Sequence, residues 1–476
     1  MKKGTWFLSG FVVCSLLSNA YGQAATVNLT SLKQSIDGFG ASTAFDAQLT
    51  QAQADVAFGN ASGQLGLSIL RVRIDPTKAW ANEKANAQKA KAHGAMILAT
   101  PWTPPASMKT NNNTIGGELQ TSSYAAYAAY LKSFCDTLGI VDVISLQNEP
   151  NITVTYESCT WSAAQFLTFC KSNAASIGKP VMMPETYNFD ITYSDPSLND
   201  ATAAANIAYI GLHLYGATMK TYTTALNKGK KLWMTEYYLN PDDIGTCLTI
   251  GKQVLDCMYN SMSAYVWWYL RMPGCNIINT DGSILKKGYT LAQFSKFIRP
   301  GYHRVDATYQ PQTNVSVVAF TGAQTVIVAV NQNTASKSQT FTFQNGTVAS
   351  VAKYTTSGSK NLSSDGNTTV SSNSFTATLD AQSITTFVGT PSTAVSQLPM
   401  PSSSNAMQFS TLPAGNVSLV LYTLNGQRYA EKLISRHLGP VSLQSALRDI
   451  APGAYILQIL AGNKTIETRK WSILSE

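Results

Sequence analysis

Ile144-Ser145-Leu146-Gln147-Asn148-Glu149-Pro150 and Leu232-Trp233-Met234-Thr235-Glu236-Tyr237-Tyr238 each run from short apolar, strand-like residues straight into a glutamate. A carboxylate that closes such a strand emerges at its C-terminal end, where barrels of alternating strands and helices build their active sites. Splitting a glycosidic bond calls for two acids of this kind, flanking the bond. Both segments sit among Trp and Tyr, whose apolar faces suit sugar rings. Glu149 and Glu236 therefore set the first expectation, a barrel that carries carbohydrate chemistry.

Working outward, strand-like runs recur at intervals: Gly38–Ala41, Ser68–Ile74, Met96–Trp102, Val141–Gln147, Val181–Pro184, Ile207–Tyr215, Lys231–Glu236 and Ala264–Leu270. Helical stretches separate them; Ser122–Leu138 places Ala, Tyr, Leu and Phe at helical spacing. Eight strands alternating with helices predict a closed α/β barrel over residues 37–298 rather than an open sheet. From Arg299 the texture changes. Val315–Phe320, Thr325–Val330, Thr340–Phe343 and Phe375–Leu379 alternate apolar and polar residues between Asn/Gly/Ser turns, which predicts a β-sandwich side domain over 299–390. Residues 23–36 read as strand and are expected to pair with that domain. A Pro/Ser/Thr-rich linker follows over 391–405. Residues 406–476 read as a small all-β domain, with a hairpin signal at Asn425-Gly426.

Composition bounds the rest. The 476 residues are 44% hydrophobic and 13% charged, which describes a globular chain with a sparsely charged surface. The net charge of +8 is dispersed, with no Lys/Arg run of the kind nucleic acid would need. Lys2-Lys3, the apolar stretch Trp6–Leu17 and Ala20-Tyr21-Gly22 predict an export signal over residues 1–22, and no later segment is expected to span a membrane. In an oxidising compartment, Cys135, Cys159, Cys170, Cys247, Cys257 and Cys275 are expected to form disulfides, with free thiols as the alternative and no pairing selected. None has the spacing of a metal site, so neither metal nor cofactor is expected.

Ser145-Leu146-Gln147-Asn148-Glu149-Pro150-Asn151, Tyr156-Glu157-Ser158-Cys159-Thr160-Trp161, Thr235-Glu236-Tyr237-Tyr238, Pro101-Trp102-Thr103-Pro104-Pro105 and Tyr265-Val266-Trp267-Trp268-Tyr269 resemble the bacterial xylanases of glycoside hydrolase family 30, subfamily 8. The resemblance covers roughly residues 25–390. It implies a (β/α)8 TIM barrel with a fused β-sandwich and retaining cleavage of β-1,4-xylan, with Glu149 as acid/base and Glu236 as nucleophile. The tail resembles the C-terminal sorting domain of type IX secretion substrates, through Leu424-Asn425-Gly426 and Pro452-Gly453-Ala454-Tyr455. The expected partners are xylan or glucuronoxylan and, through the tail, a secretion apparatus; the expected state is a monomer, secreted or at the cell surface.

The remaining site residues follow from position. Asn148 is expected to bind the sugar's 2-hydroxyl, a contact that strengthens as charge develops at C1. Arg71 and Arg73 alternate faces, so one of them is expected to enter the barrel mouth and keep Glu236 ionised. His213 and Tyr215 share a face, and the resemblance implies that they lie near the nucleophile. Trp102, Tyr237, Trp267, Trp268 and Tyr269 are expected to line the cleft, with at least one of the tryptophans and Tyr269 serving as core. Trp161 and Tyr156 either stack on sugar beyond Glu149 or pin the Cys159 loop, and Glu185 is read as structural. The sequence departs from the resemblance at Arg271-Met272-Pro273-Gly274, where Met272 and Gly274 replace an arginine and a tyrosine that bind a glucuronate branch. A methionine offers no bidentate contact to a carboxylate. Arg271 is retained as a substrate-binding candidate, and dependence on the branch is not expected.

Overall fold

The structure is a computed structural model that describes residues 24–391, 415–423, 428–436, 453–461 and 464–473. The export signal expected over 1–22 lies outside the described residues, as does the linker expected over 391–405 beyond Pro391. Strand β1 (Ala25–Ser35) precedes eight parallel strands: β2 (Gly38–Ser42), β3 (Ile69–Arg73), β4 (Met96–Thr100), β5 (Val143–Ser145), β6 (Val181–Thr186), β7 (Tyr209–His213), β8 (Lys231–Glu236) and β9 (Met262–Tyr269). They close in chain order, β9 returning to β2 through pairs such as Phe39 with Tyr265. Each of the eight runs read from the sequence is one of these strands. Ile69, Leu98, Val143, Met182, Trp233, Ala264 and Val266 pack the barrel interior. The Trp233 indole, buried there, donates to Asp37 Oδ2 at 2.8 Å, which satisfies its one polar atom.

The side domain is one nine-stranded sheet built from β1, β10 (His303–Ala307), β11 (Val315–Thr321), β12 (Thr325–Asn331), β13 (Lys337–Gln344), β14 (Val348–Thr356), β15 (Ser363–Thr369), β16 (Ser374–Leu379) and β17 (Ser383–Pro391), in the order β15-β14-β17-β12-β11-β10-β1-β13-β16. β1 runs antiparallel to β10 and parallel to β13, so the chain's first described strand belongs to this domain, as its pattern predicts. Val318, Phe320, Val326, Val328, Val330 and Ile384 join the barrel's helical core, while Val317, Ile327, Phe341, Phe375 and Phe387 form the sandwich's own. Thr386 Oγ1 donates to Gln293 Oε1 at 2.6 Å, a buried polar contact across that junction. The apolar–polar alternation did not reveal β15, which reads Ser-Ser-Asp-Gly-Asn-Thr-Thr and lies at the sheet edge with mostly solvated side chains.

Beyond the linker, β18 (Gly415–Thr423), β19 (Arg428–Arg436), β20 (Gly453–Ala461) and β21 (Lys464–Ile473) make an antiparallel sheet of order β19-β18-β20-β21. The expected hairpin is realised as the β18–β19 pair, although Asn425-Gly426 itself lies outside the described residues. The disulfide expectation is corrected: the six cysteines from Cys135 to Cys275, those among the described residues, are all free thiols. Five are buried, among them Cys257, whose thiol lies 3.8 Å from Met219 Sδ. Among the described residues no helix is long and apolar enough to cross a membrane.

Candidate active site

Arg71 and Arg73, two residues apart, share one face of β3, contrary to the expected alternation, and depth along the strand decides which arginine enters the mouth. Arg71 is fully buried, whereas Arg73, two residues on, pairs with Asp75 (2.7 Å) and Glu157. Arg71 Nη1 donates to Glu236 Oε2 at 2.6 Å and Nη2 to Asn148 Oδ1 at 2.6 Å. Its Nη2 also lies 3.2 Å from Glu185 Oε1, and its guanidinium stacks 4.7 Å from the Trp102 ring centroid. One side chain thus fixes three strand ends. Because the Asn148 oxygen is taken, its NH2 group is the part left to face a sugar hydroxyl.

Glu149, Glu185, His213 and Glu236 converge from β5, β6, β7 and β8. Glu149 and Glu185 both adopt left-handed backbone, φ 45° and 53°, and the Glu149 amide donates to the Glu185 carbonyl at 3.0 Å. Such conformations cost on the order of 1–3 kcal/mol each and gather at functional sites. Here they turn two successive strand ends so that both carboxylates face the barrel axis. His213 Nδ1 lies 2.9 Å from Glu149 Oε1, and Tyr215 Oη donates to Glu236 Oε1 at 3.1 Å. One carboxylate oxygen of each glutamate and a His213 nitrogen all lie within 4.8 Å of one another. That separation matches the roughly 5–5.5 Å of retaining glycosidases and is too short for the roughly 6.5–9.5 Å that an inverting enzyme needs to admit water.

The charges are arranged around this pair. Burial, the largest influence, works against the Arg71 cation, but Glu185 and Glu236 hold it firmly protonated. Burial would raise Glu185, yet Arg71 and His213 draw it down to about 2. Burial likewise lowers His213, but Glu236, Glu149 and Glu185 together raise it to about 9. Glu236 is pushed above the usual carboxylate range, by burial first and by Glu149, against His213 and Arg71. Three carboxylates thus face two cations, so one proton shared by Glu149 and Glu236 leaves the cluster neutral. Donors on both Glu236 oxygens, Arg71 Nη1 and Tyr215 Oη, suit that residue to act as the anion. Glu149, His213 and Glu236 could in principle offer three ligand atoms to a metal. The Arg71 guanidinium on Glu236 already supplies the cation there and would repel a second.

Aromatic rings flank the pair on two sides. Tyr187, Tyr215 and Tyr237 stack in series, with centroids 5.0 and 5.3 Å apart, and Tyr238 meets Tyr215 edge-on. On the other flank Phe45, Trp102, Trp268 and Tyr269 form a continuous run. Trp267 is the expected core tryptophan: it is fully buried and its indole donates to the Cys275 carbonyl at 2.6 Å. Trp161 is core as well, packed between Tyr124, Phe166 and Phe169. Tyr156 is half exposed, and the partial burial of its hydroxyl first, then Glu149 and Glu236, push that hydroxyl up. Phe45 and Tyr187 escaped the sequence reading, although each lies in the segment just beyond a barrel strand, β2 and β6.

Arg271 is placed differently from the expectation. It is 8% exposed, and its guanidinium is bound to Asp46 (3.1 and 2.9 Å), Gln53 Oε1 (2.9 Å) and the Ala47 carbonyl (3.0 Å). With four of its five N–H donors engaged, the guanidinium has no paired fork left to offer a substrate carboxylate. It braces the loop after β2 instead. Next to it, Met272 is half-buried and Gly274 exposed.

A closed parallel barrel with paired glutamates on its fourth and seventh strands, a buried arginine on one of them and aromatic walls is the site of a glycoside hydrolase. Comparison with known proteins gives the family. The chain is 41% identical over 386 residues to the glucuronoxylanase XynC of Bacillus subtilis, a match spanning 76% of this chain and 91% of that protein. Among solved structures it resembles the glycoside hydrolase family 30 subfamily 8 xylanase Xyn30A of Clostridium acetobutylicum, with 45% identity, a TM-score of 0.75, and coverage of 77% of this chain and 99% of that one. A family 30 endoxylanase of Clostridium papyrosolvens follows at 42% identity and TM-score 0.73, with the same coverage. No family model matches the chain. The chain belongs to the xylanases of glycoside hydrolase family 30.

Proposed function

We propose that this protein is a secreted, retaining endo-β-1,4-xylanase that does not require glucuronic acid branches. The observation that carries the reading is the carboxylate pair within 4.8 Å, one member held by Arg71 and Tyr215, the other facing His213. Glu236 attacks the anomeric carbon while Glu149 protonates the leaving oxygen; Glu149 then activates water to release the sugar from Glu236. The aromatic walls seat pyranose rings on either side. Digestion of arabinoxylan, glucuronoxylan and mixed-linkage glucan, with products read by mass spectrometry, tests the substrate; the expected result is xylooligosaccharides from both xylans and none from the glucan.

A second reading, a strictly glucuronoxylan-specific enzyme, is favoured by the name of the Bacillus subtilis relative. Against it stand Met272, Gly274 and the engagement of Arg271 by Asp46 and Gln53. Linear xylan left intact, with only singly branched products from glucuronoxylan, would favour this second reading. A non-catalytic carbohydrate-binding protein on the same barrel is the rival from another class. For Glu236→Ala, azide is expected to restore turnover with inverted products, because the small anion replaces the missing nucleophile; a binding protein has no turnover to restore.

We further propose that residues 1–22 direct export and that the tail over 406–476 is a type IX sorting domain. Deleting residues 405–476 is expected to leave the activity of purified enzyme unchanged and to retain it in the periplasm of a host with the matching apparatus. A truncated enzyme that reaches the medium normally would rule the sorting role out.

A further inference from the structure

Glu185 has no place in the two-carboxylate scheme, yet the barrel is shaped to hold it. Its side chain has no solvent exposure. Gly211, on the adjacent strand β7, leaves the room: a Cβ there would stand 2.7 Å from Glu185 Cγ. The carboxylate is sparsely hydrogen-bonded for a buried anion. Oε2 accepts from Thr100 Oγ1 at 3.1 Å, whereas Oε1 makes no close hydrogen bond and faces Arg71 Nη2 at 3.2 Å and His213 Nε2 at 3.8 Å, with Ser145 adding to their pull on the carboxylate. His213 Nε2 is equally without a hydrogen-bond partner, while its Nδ1 meets Glu149. A buried carboxylate retained for packing alone would be expected to find donors for both oxygens. This one instead touches the two cations that touch the two catalytic acids.

We propose that Glu185 is a positioning anion for the hydrolysis, keeping His213 charged beneath Glu149 and Arg71 charged beneath Glu236. The inference rests on the reading of Glu149 and Glu236 as acid/base and nucleophile. At rest the ionised Glu185 and Glu236 balance Arg71 and protonated His213, and Glu149 carries its proton. When Glu236 Oε bonds to C1 and the C1–O bond breaks, Glu236 loses its charge, while Glu149 gives its proton to the departing oxygen and gains one. The negative charge thus moves from the carboxylate on Arg71 to the carboxylate on His213, and the buried cluster stays neutral. Were His213 neutral, the second position would have no cation to receive that charge, and burial would penalise it heavily. His213, raised to about 9 by Glu236, Glu149 and Glu185 against its burial, is in the state this transfer needs. The charged and titratable groups around it are Arg71 from β3, Glu149 after β5, Glu185 from β6, Tyr215 after β7 and Glu236 from β8.

Glu185→Gln keeps the shape and removes the charge. Taking away a fixed anion lowers the proton affinity of every neighbour, so the whole pH profile of kcat/KM is expected to move to lower pH. The loss, roughly 10- to 100-fold at neutral pH, should shrink as the pH falls; Glu185→Asp, which restores the charge, should recover most of the shift. A packing role would lower the profile by one factor at all pH values without moving it. The second arm needs no substrate: the chain has four histidines, so imidazole nitrogen NMR can follow His213 directly. In the wild type His213 should stay protonated to about pH 9, and in Glu185→Gln it should titrate at least one unit lower. Wild-type titration near the ordinary value of about 6.5 would overturn the proposal even if the variant failed to fold. An NMR shift without catalysis on any xylan would instead leave the charge clamp standing and remove the xylanase reading.

Discussion

Replacing Arg71 by lysine keeps the charge and removes the fork. The arginine reaches Glu236 and Asn148 through two different nitrogens, each at 2.6 Å, and lies against Glu185 through the second. A lysine ammonium is a single point on a flexible stem and cannot hold both partners in that geometry. If it stays with the carboxylates, Asn148 loses the bond that presents its NH2 group; if it turns to Asn148, Glu236 loses its closest cation. One charge-assisted hydrogen bond contributes about 1.5–3 kcal/mol, so kcat/KM on linear xylan should fall roughly 10- to 100-fold. Arg71 also draws Glu236 down, so weakening that contact raises the nucleophile further, and the acid limb of the pH profile should move to higher pH. Initial rates across pH, with thermal melting to confirm folding, provide the assay. A folded Arg71→Lys enzyme within threefold of wild type, with an unmoved acid limb, would refute the idea that the fork organises the site.

Arg271→Ala should lower stability by about 3 kcal/mol, the scale of a broken buried ion pair. It should leave the ratio of rates on glucuronoxylan and linear xylan unchanged; a selective loss on the branched substrate would return Arg271 to the binding site. Glu83, buried beneath Thr43 and the Arg73 amide, is pushed by burial to about 8, so the folded chain holds a proton there that the unfolded chain releases near 4.5. Its contribution to stability is therefore present at acid pH and lost as pH rises from about 4.5 through about 8. Glu83→Gln should melt close to wild type at pH 5 and above it at pH 8, as calorimetry would show.

The sequence carried the barrel because each strand is short and apolar and the site's chemistry gathers at or just beyond the strands' C-terminal ends, but it did not separate Arg71 from Arg73, which share a face of β3. It did not carry contacts between distant segments. The partners of Arg271, Asp46 and Gln53, lie more than 200 residues away, so a retained arginine looked like a retained binding function. Glu185 gave no motif, and its meaning appears only when β3, β6 and β7 meet around it. The cysteines illustrate the same gap, since the six beyond the expected export signal suggest pairing whereas each thiol's environment is set by packing that spacing does not encode. The polar edge strand β15 has no apolar face to betray it.

The central claim is that Glu236 forms a covalent bond to the sugar. Incubating the enzyme with an activated 2-deoxy-2-fluoro-xylobioside, which slows the second step more than the first, followed by digestion and peptide mass mapping, tests it directly. The account predicts one added glycosyl group on the peptide carrying Glu236 and its loss on prolonged incubation with acceptor sugar. A label on Glu149 or Glu185, or release of inverted product without any label, would contradict it.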